Sequence, residues 1–336
     1  MNVGFQGLLD RFTALGGIAV NICQREGEYG RGIFPVDPSR NAKIMTPKNL
    51  LINATNLCLD GKTVVIKDGS GYTTEEIAFL EMYWNDYSWG NNGNNDAASF
   101  LDFIVSLKEP IKKQLLDNGF VDVNLLSLRE DDDSLLKRFF SERVVNFQDQ
   151  SVLAPVWEFV NHSAFAPPLR ITPYGVETPP IEPGLEEILQ KYSAKNSPIG
   201  MWKKYGFACD CIFAYSIPFS INKGDQSLAI RCVGRLGLGP KEKTSFSVDG
   251  DILSIKSLPV GCLSTGLPKE NFKLILSSVG LSADVANRLF SKIREVNIKA
   301  RRDLIDSLQE SGTGAKAQLY KALVYEIELI ENSLTD

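Results

Sequence analysis

The chain contains a single histidine, His162, within the tripeptide Asn161-His162-Ser163. One imidazole excludes zinc sites that need two histidines, and it leaves at most one Ser-His or Cys-His arrangement for nucleophilic catalysis. A hydrolase that uses His162 with Ser163 or with a cysteine is one hypothesis, but no nucleophile-elbow pattern accompanies it. Taken alone, the tripeptide favours a polar turn with a hydrogen-bonded histidine.

Six cysteines are scattered along the chain, and only Cys209 and Cys211 lie close in sequence. This scatter favours reduced thiols over a disulfide framework. A one-residue gap within an apolar run predicts that both thiols lie on one face of a strand. A structural zinc site there would need further ligands nearby, so we predict no metal site.

Two glycine-containing segments lack the spacing of phosphate-binding loops. Gly61-Lys62-Thr63 would need a glycine at position 56, where the chain has Asn56. The segment 234–239 is rich in glycine, but its spacing does not match the dinucleotide-binding fingerprint and no helical pattern follows it. We therefore predict a loop at 234–239.

Length and charge restrict the class of protein. The 336 residues allow two domains at about 150 residues per domain. The net charge of −5 argues against bare nucleic acid or anionic lipid as the main partner, because both attract a basic surface. The apolar runs are shorter than the ~18 residues of a membrane span, and the first residues lack a secretory-signal pattern. We expect a soluble, cytoplasmic protein.

Strand-like and helix-like segments alternate along the chain. Short apolar runs between Gly, Pro, Asn and Asp predict small antiparallel sheets over 18–67 and again from 152. Between them, Thr73 and Glu76 form a capping-box signature, and helical spacing follows with a polar loop over 89–95. The proline-rich segment 166–184 predicts an extended loop, and the period after Pro268 is helical.

This order predicts an α+β fold in which small antiparallel sheets surround a helical insert and an all-helical region follows. A sheet region divided by an insert implies that residues distant in sequence form one site. We expect four segments: an N-terminal half over 1–70, the insert over 71–148, a C-terminal half over 149–262 and a helical substrate-binding region over 263–336.

Three short segments carry a resemblance to a known family. They are Glu28–Phe34, which contains Gly30-Arg31-Gly32, then Met45–Ile52, and Pro155–Ser163, which contains Asn161-His162-Ser163. In this order, around a helical insert and before a helical tail, they resemble SET-domain protein methyltransferases of the Rubisco large-subunit lysine methyltransferase-like class. The resemblance extends over nearly the whole chain as architecture but over only about 30 residues as motif.

The resemblance implies S-adenosylmethionine as cofactor and lysine in a protein or peptide as the methylated group. It also implies cofactor-binding roles for Tyr29, Gly30, Arg31, Gly32, Arg143, Glu158, Asn161 and His162. Glycine lets the chain approach the cofactor closely. Asn161 and His162 would hold the cofactor's adenine and amino-acid ends, largely through backbone groups, so His162 would be neither acid nor base. Arg143 would bind the cofactor carboxylate, and Glu158 occupies the family's acidic position three residues before the asparagine.

The family's active-site tyrosine is not where its pattern predicts it. The pattern is a G-[DE]-[EQ] turn, a strand and a Tyr-Gly pair, whereas Gly224-Asp225-Gln226 and the following apolar run lead to Arg231-Cys232-Val233-Gly234. Tyr174, Tyr205 and Tyr215 are candidate catalytic phenols in its place. For Tyr205 and Tyr215, packing in a core or at a sheet edge is the competing interpretation.

Two functions remain open on these grounds. The first is methyl transfer from S-adenosylmethionine to a protein side chain, with lysine as the simplest target. The alternative is a catalytically degenerate SET-like protein that serves as a binding or scaffold module. Neither composition nor motif predicts the substrate or the oligomeric state.

Overall fold

Two compact units make up the chain, and each combines two separate segments. The first contains 1–98 and 130–193, and the second contains 99–129 and 194–336. The computed structural model describes residues 4–28, 30–67, 71–179, 181, 183–184, 186–192, 197–221, 229–233, 244–263, 266–308 and 314–333. These units group residues that are in contact, and they are not continuous ranges of sequence. The four sequence ranges given above therefore stay predictions.

The described helices and strands follow in chain order. The α-helices are α1 (Phe5–Ala14), α2 (Thr74–Met82), α3 (Asn94–Ser106), α4 (Glu109–Asp117), α5 (Val123–Leu126), α6 (Asp132–Arg143), α7 (Pro198–Tyr205), α8 (Leu267–Ser278), α9 (Ala283–Leu308) and α10 (Gly314–Asn332). A π-helix spans Tyr83–Gly93, and 3₁₀ turns span Lys48–Leu50, Ala54–Asn56 and Trp157–Phe159. The strands are β1 (Ile18–Val20), β2 (Ile22–Gly27), β3 (Gly30–Pro35), β4 (Lys43–Pro47), β5 (Ile52–Asn53), β6 (Leu57–Asp60), β7 (Thr63–Ile66), β8 (Val145–Phe147), β9 (Gln150–Leu153), β10 (Asn161–His162), β11 (Arg170–Thr172), β12 (Gly175–Glu177), β13 (Leu189–Gln190), β14 (Phe213–Tyr215), β15 (Phe219–Ile221), β16 (Ala229–Val233), β17 (Ser245–Asp249), β18 (Ile252–Lys256) and β19 (Pro259–Cys262).

The first unit consists of several small sheets around one apolar core. Its sheets are β1-β4-β12-β11, β5-β9-β8, β2-β3, β6-β7 and β10-β13, all antiparallel except the last. The largest buried side chains of this core include Phe12, Trp84 and Phe139. Thr73 and Glu76 form the predicted capping box at the start of α2.

The second unit joins helices to two further sheets, β14-β19 and β15-β16-β18-β17. Trp202 of α7 packs on Phe100 with ring centroids 5.4 Å apart, and its indole N–H donates to the Ala315 carbonyl. Helices α8, α9 and α10 supply the helical C-terminal region. The predicted α+β fold class is thus confirmed.

Two local predictions were wrong. The segment 89–95, predicted as a polar loop, continues the π-helix and begins α3, because buried aromatic residues such as Trp89 hold this polar stretch against the core. Within 166–184, predicted as one extended loop, β11 and β12 form a hairpin with Pro173 and Tyr174 at its turn. Along the described residues, no helix combines the length and the apolarity that crossing a membrane requires.

Candidate functional site

The glycine strand and the Asn161 segment, far apart in sequence, are in contact. Gly30, Arg31 and Gly32 begin β3, and Asn161 begins β10 directly after the 3₁₀ turn Trp157–Phe159. The Asn161 side-chain amide nitrogen lies 3.4 Å from the Arg31 carbonyl oxygen. The two motif segments therefore border one common place in the first unit.

The two glycines of β3 act in different ways. A Cβ on Gly32 would lie 2.6 Å from the Asn161 amide nitrogen and closer still to the Glu187 carboxylate, so a larger residue would displace the ends of these two side chains. Gly30 has a φ of +85°, a conformation that L side chains rarely adopt, and a Cβ there would meet nothing within 4 Å. There is thus open space beside Gly30 and a tight contact beside Gly32. Tyr29 lies outside the described residues.

Glu187 is a functional candidate that the sequence reasoning missed. Its Oε1 accepts a hydrogen bond from the Asn161 side chain at 2.8 Å. Burial raises the pKa of the Glu187 carboxyl above its ordinary value of 4.5, although the bond from Asn161 and the charge of Arg25 lower it. A half-buried carboxylate therefore lies at the edge of the glycine strand.

The segment that follows Glu187 runs between the two motif segments. The Ile188 N–H donates to the Ile33 carbonyl of β3 at 2.8 Å. Strand β13 then pairs in parallel with β10, with Asn161 opposite Leu189 and His162 opposite Gln190. Strands β3 and β10 are therefore both hydrogen-bonded to the segment 188–190.

Tyr192 follows β13 and contacts His162 directly. Its backbone N–H donates to His162 Nδ1 at 3.0 Å, and its ring centroid lies 5.1 Å from that of the imidazole. Its hydroxyl donates to the Val160 carbonyl at 2.8 Å. A phenol is therefore present beside the buried histidine.

A similar order of acidic residues, short strand and tyrosine occurs at 186–192. The acidic pair Glu186-Glu187, strand β13 and Tyr192 follow in this order, but Leu185 separates the pair from Gly184 and Ser193 stands after the tyrosine. The segment Gly224-Asp225-Gln226, for which the family pattern was predicted, lies outside the described residues. The acidic pair before a short apolar run was the signal that could have located Tyr192.

Glu158, within the segment Pro155–Ser163, is the centre of a buried cluster of polar side chains. Its side chain is 2 % exposed, accepts a hydrogen bond from the Tyr83 hydroxyl at 2.8 Å and lies 3.7 Å from Arg143 Nε. Burial raises the pKa of the Glu158 carboxyl, while the Arg143 charge lowers it. Burial, and then the neighbouring Glu158 charge, raises the pKa of Tyr83. The π-helix of the insert, which carries Tyr83, is thus joined to the Asn161 segment.

The side chains of Arg143 and Arg31 both contact other groups of the first unit. Arg143 also contacts the Glu142 carboxylate at 3.1 Å and lies 3.9 Å above the ring of Phe139. Arg31 donates to the Tyr87 carbonyl at 3.0 Å. The carboxylate-binding role implied for Arg143 stays a prediction, and in this structure its guanidinium faces two protein carboxylates.

The three tyrosines named from the sequence lie in separate settings. Tyr174 is 76 % exposed at the turn of the β11–β12 hairpin, where its carbonyl accepts the Lys48 N–H. Tyr205 and Tyr215 belong to the second unit, at the end of α7 and on β14. Their catalytic roles stay predictions. Within the described ranges, no group of three or more His, Cys, Asp or Glu side chains could hold a metal ion.

Comparison with known proteins gives similarity to solved structures only. No family model matches the chain, and no curated protein matches it in sequence. The chain is similar to the SET domain of LSMT bound to lysine and AdoHcy, at 16% identity, with 98% of this chain and 89% of that chain covered and a TM-score of 0.41. The same domain bound to methyllysine and AdoHcy gives 16% identity, coverages of 98% and 90% and a TM-score of 0.40. Rubisco LSMT bound to sinefungin and monomethyllysine gives 16% identity, coverages of 97% and 89% and a TM-score of 0.40.

Proposed function

We propose that the chain transfers a methyl group from S-adenosylmethionine to a protein side chain, with lysine as the simplest acceptor. The observation that carries the proposal is the contact between Asn161 and the glycine strand, with open space beside Gly30. Neither segment alone indicates this function. Their meeting in one place is what a shared cofactor site requires.

The residues present fit such a cofactor. Backbone groups at 30–32 can approach a planar nucleoside closely because glycine has no side chain. The Glu187 carboxylate and the Asn161 amide oxygen would offer acceptors to an α-ammonium group, and the charges of Arg143 and Arg31 act on the nearby Glu158 carboxylate. When bound, S-adenosylmethionine would supply an electrophilic methyl group on a positively charged sulfur.

The protein's part in this chemistry is alignment and exclusion of water. Because the leaving group departs neutral, orientation and desolvation can supply most of the rate. A target lysine, with an ordinary pKa of about 10.4, must lose its proton first, and an apolar channel beside a cation favours that loss. We assign the phenol that lines this channel to Tyr192, since its ring packs on His162.

The test is transfer of radiolabelled methyl from S-adenosylmethionine to lysine-rich peptides. We expect Tyr192→Phe to lower kcat about 10²-fold or more and to change affinity for the cofactor product little, because the phenol acts mainly in the transition state. Tyr320→Phe on α10 is the matched control. A Tyr192→Phe enzyme with an unchanged rate would exclude this phenol from the reaction.

The same experiment separates the alternative function. Ser193 stands where the family pattern has glycine, and this difference favours a degenerate site. A scaffold protein would bind S-adenosylmethionine without turnover on any lysine peptide. Stoichiometric binding together with no label in any peptide would replace the enzyme proposal with the scaffold.

A further inference from the structure

Cys209 and Cys211 place two thiols in contact in the second unit. Their Sγ atoms are 3.9 Å apart. Cys211 is buried and Cys209 is half-buried, so Cys209 is the more accessible residue of the pair. The proposed methyl transfer does not use either residue.

We propose that Cys209 and Cys211 form a redox pair that small disulfides oxidise reversibly to an intrachain disulfide. This proposal is independent of the proposed function, because it concerns side chains of the second unit only. It assigns a modification site to the one close cysteine pair in the sequence.

The backbone around the pair permits local closure. Residues 207–212 form no helix or strand, and anchors flank the pair on both sides. On one side, the Ala208 N–H donates to the Gln318 side chain, and on the other the Leu263 N–H donates to the Ile212 carbonyl. The sulfurs must approach from 3.9 Å to the about 2.05 Å of a disulfide, a movement that the irregular segment between these anchors can supply.

The two sulfurs have different roles in the exchange. The Cys209 thiolate attacks one sulfur of the small disulfide. This forms a mixed disulfide on Cys209 and releases the other sulfur as a thiolate. Cys211 then gives up its proton, attacks Cys209 Sγ and releases the second small thiol. The protein loses two electrons and two protons, and one small disulfide becomes two thiols.

Contacts at the pair support this order. The Cys211 thiol lies against the Cys209 sulfur, and this contact, together with burial, raises the pKa of Cys211. The greater burial of Cys211 and its raised pKa favour Cys209 as the first nucleophile. By contrast, burial raises the pKa of Cys232 to about 11, so that thiol stays inert.

The test incubates the full chain with graded ratios of reduced to oxidised glutathione, followed by acid quenching, alkylation and peptide mass spectrometry. We expect the peptide that contains both residues to lose two hydrogens reversibly. Cys211→Ser should instead accumulate glutathione on Cys209, because the resolving thiol is gone. Cys209→Ser should leave Cys211 as a free thiol.

Half-buried Cys58 supplies the matched control, since Cys58→Ser should change none of these products. Alkylation of buried Cys232 only after denaturation would show that the variants remain folded. A stable glutathione adduct on wild-type Cys209, or both thiols intact at ratios that already modify Cys58, would overturn the proposal.

Discussion

At the residue scale, the candidate site is sensitive to the size of residue 32. A Cβ at position 32 would displace the Asn161 and Glu187 side-chain ends that meet beside β3. A motif search treats both glycines of Gly-x-Gly alike. The structure distinguishes them, since Gly30 supplies backbone conformation and Gly32 supplies proximity.

Gly32→Ala should therefore disturb both polar neighbours at once. We expect affinity for S-adenosylhomocysteine to fall at least about tenfold, or about 1.4 kcal/mol, as measured by calorimetry. Gly61→Ala is the control, because its Cβ would meet nothing within 4 Å and any loss there reflects backbone strain alone. Full affinity in Gly32→Ala would contradict a ligand site at this contact.

The protonation of Glu187 predicts how affinity for S-adenosylhomocysteine depends on pH. Its pKa is raised above 4.5 in the folded chain, mainly by burial. The charged carboxylate that would hold an ammonium group is therefore lost when the pH falls through this raised value. We expect S-adenosylhomocysteine affinity to decrease as the pH is lowered from about 7.5 to about 5, and this dependence to flatten in Glu187→Gln.

Ionisation of Glu187 favours ligand binding but lowers the free energy of unfolding, and this second effect can be measured as well. Because the folded state binds the Glu187 proton more tightly than the unfolded state, ionisation of Glu187 reduces stability above the raised pKa. That loss disappears as the pH falls below 4.5. If ligand affinity were equally pH-dependent in the wild type and in Glu187→Gln, another group would be responsible.

At the element scale, the helices α9 and α10 of the second unit are joined by a buried ion pair. Arg301 donates to Glu326 at 2.6 Å and 2.9 Å, and both side chains are at most 2 % exposed. Arg301 also donates to the Tyr215 carbonyl, and Glu326 accepts the Ile199 N–H at the start of α7. One pair thus satisfies groups on four elements.

Removing one partner should be far more harmful than removing both. Glu326→Ala leaves a buried guanidinium without its counter-charge, and we expect a loss of about 3–5 kcal/mol in the free energy of unfolding. The double variant Arg301→Met with Glu326→Leu should lose much less. Urea denaturation measures both, and a single variant as stable as the double variant would contradict a buried, coupled pair.

Elements also show what could be predicted from sequence. The capping box of α2 was predictable because the two reciprocal hydrogen bonds that define it join residues three positions apart. Strands β10 and β13 contain two residues each, too few for any periodic pattern, and their pairing depends on long-range contacts. The contact of Tyr192 with His162 was therefore not predictable. The π-helix was missed because buried aromatic packing overrode a polar composition.

At the scale of the whole molecule, the order of segments was predictable, and the four sequence ranges stay predictions. Alternating periods correctly predicted strands, a helical insert, more strands and a helical tail. The range 99–129, which lies within the predicted insert, belongs to the same compact unit as 194–336. Hydrophobic period describes each element by itself, whereas the partner of a buried face depends on the complementary surface of another segment.

The central claim is that Asn161 and the glycine strand together hold one S-adenosylmethionine. Calorimetric titration of the full chain with S-adenosylhomocysteine tests it most directly, with Asn161→Ala as the variant and exposed Asn124→Ala as the control. We predict one ligand per chain, a loss of about 1–3 kcal/mol in Asn161→Ala and no loss in the control. The absence of binding at about 1 mM ligand, or equal affinity in the two variants, would contradict the account.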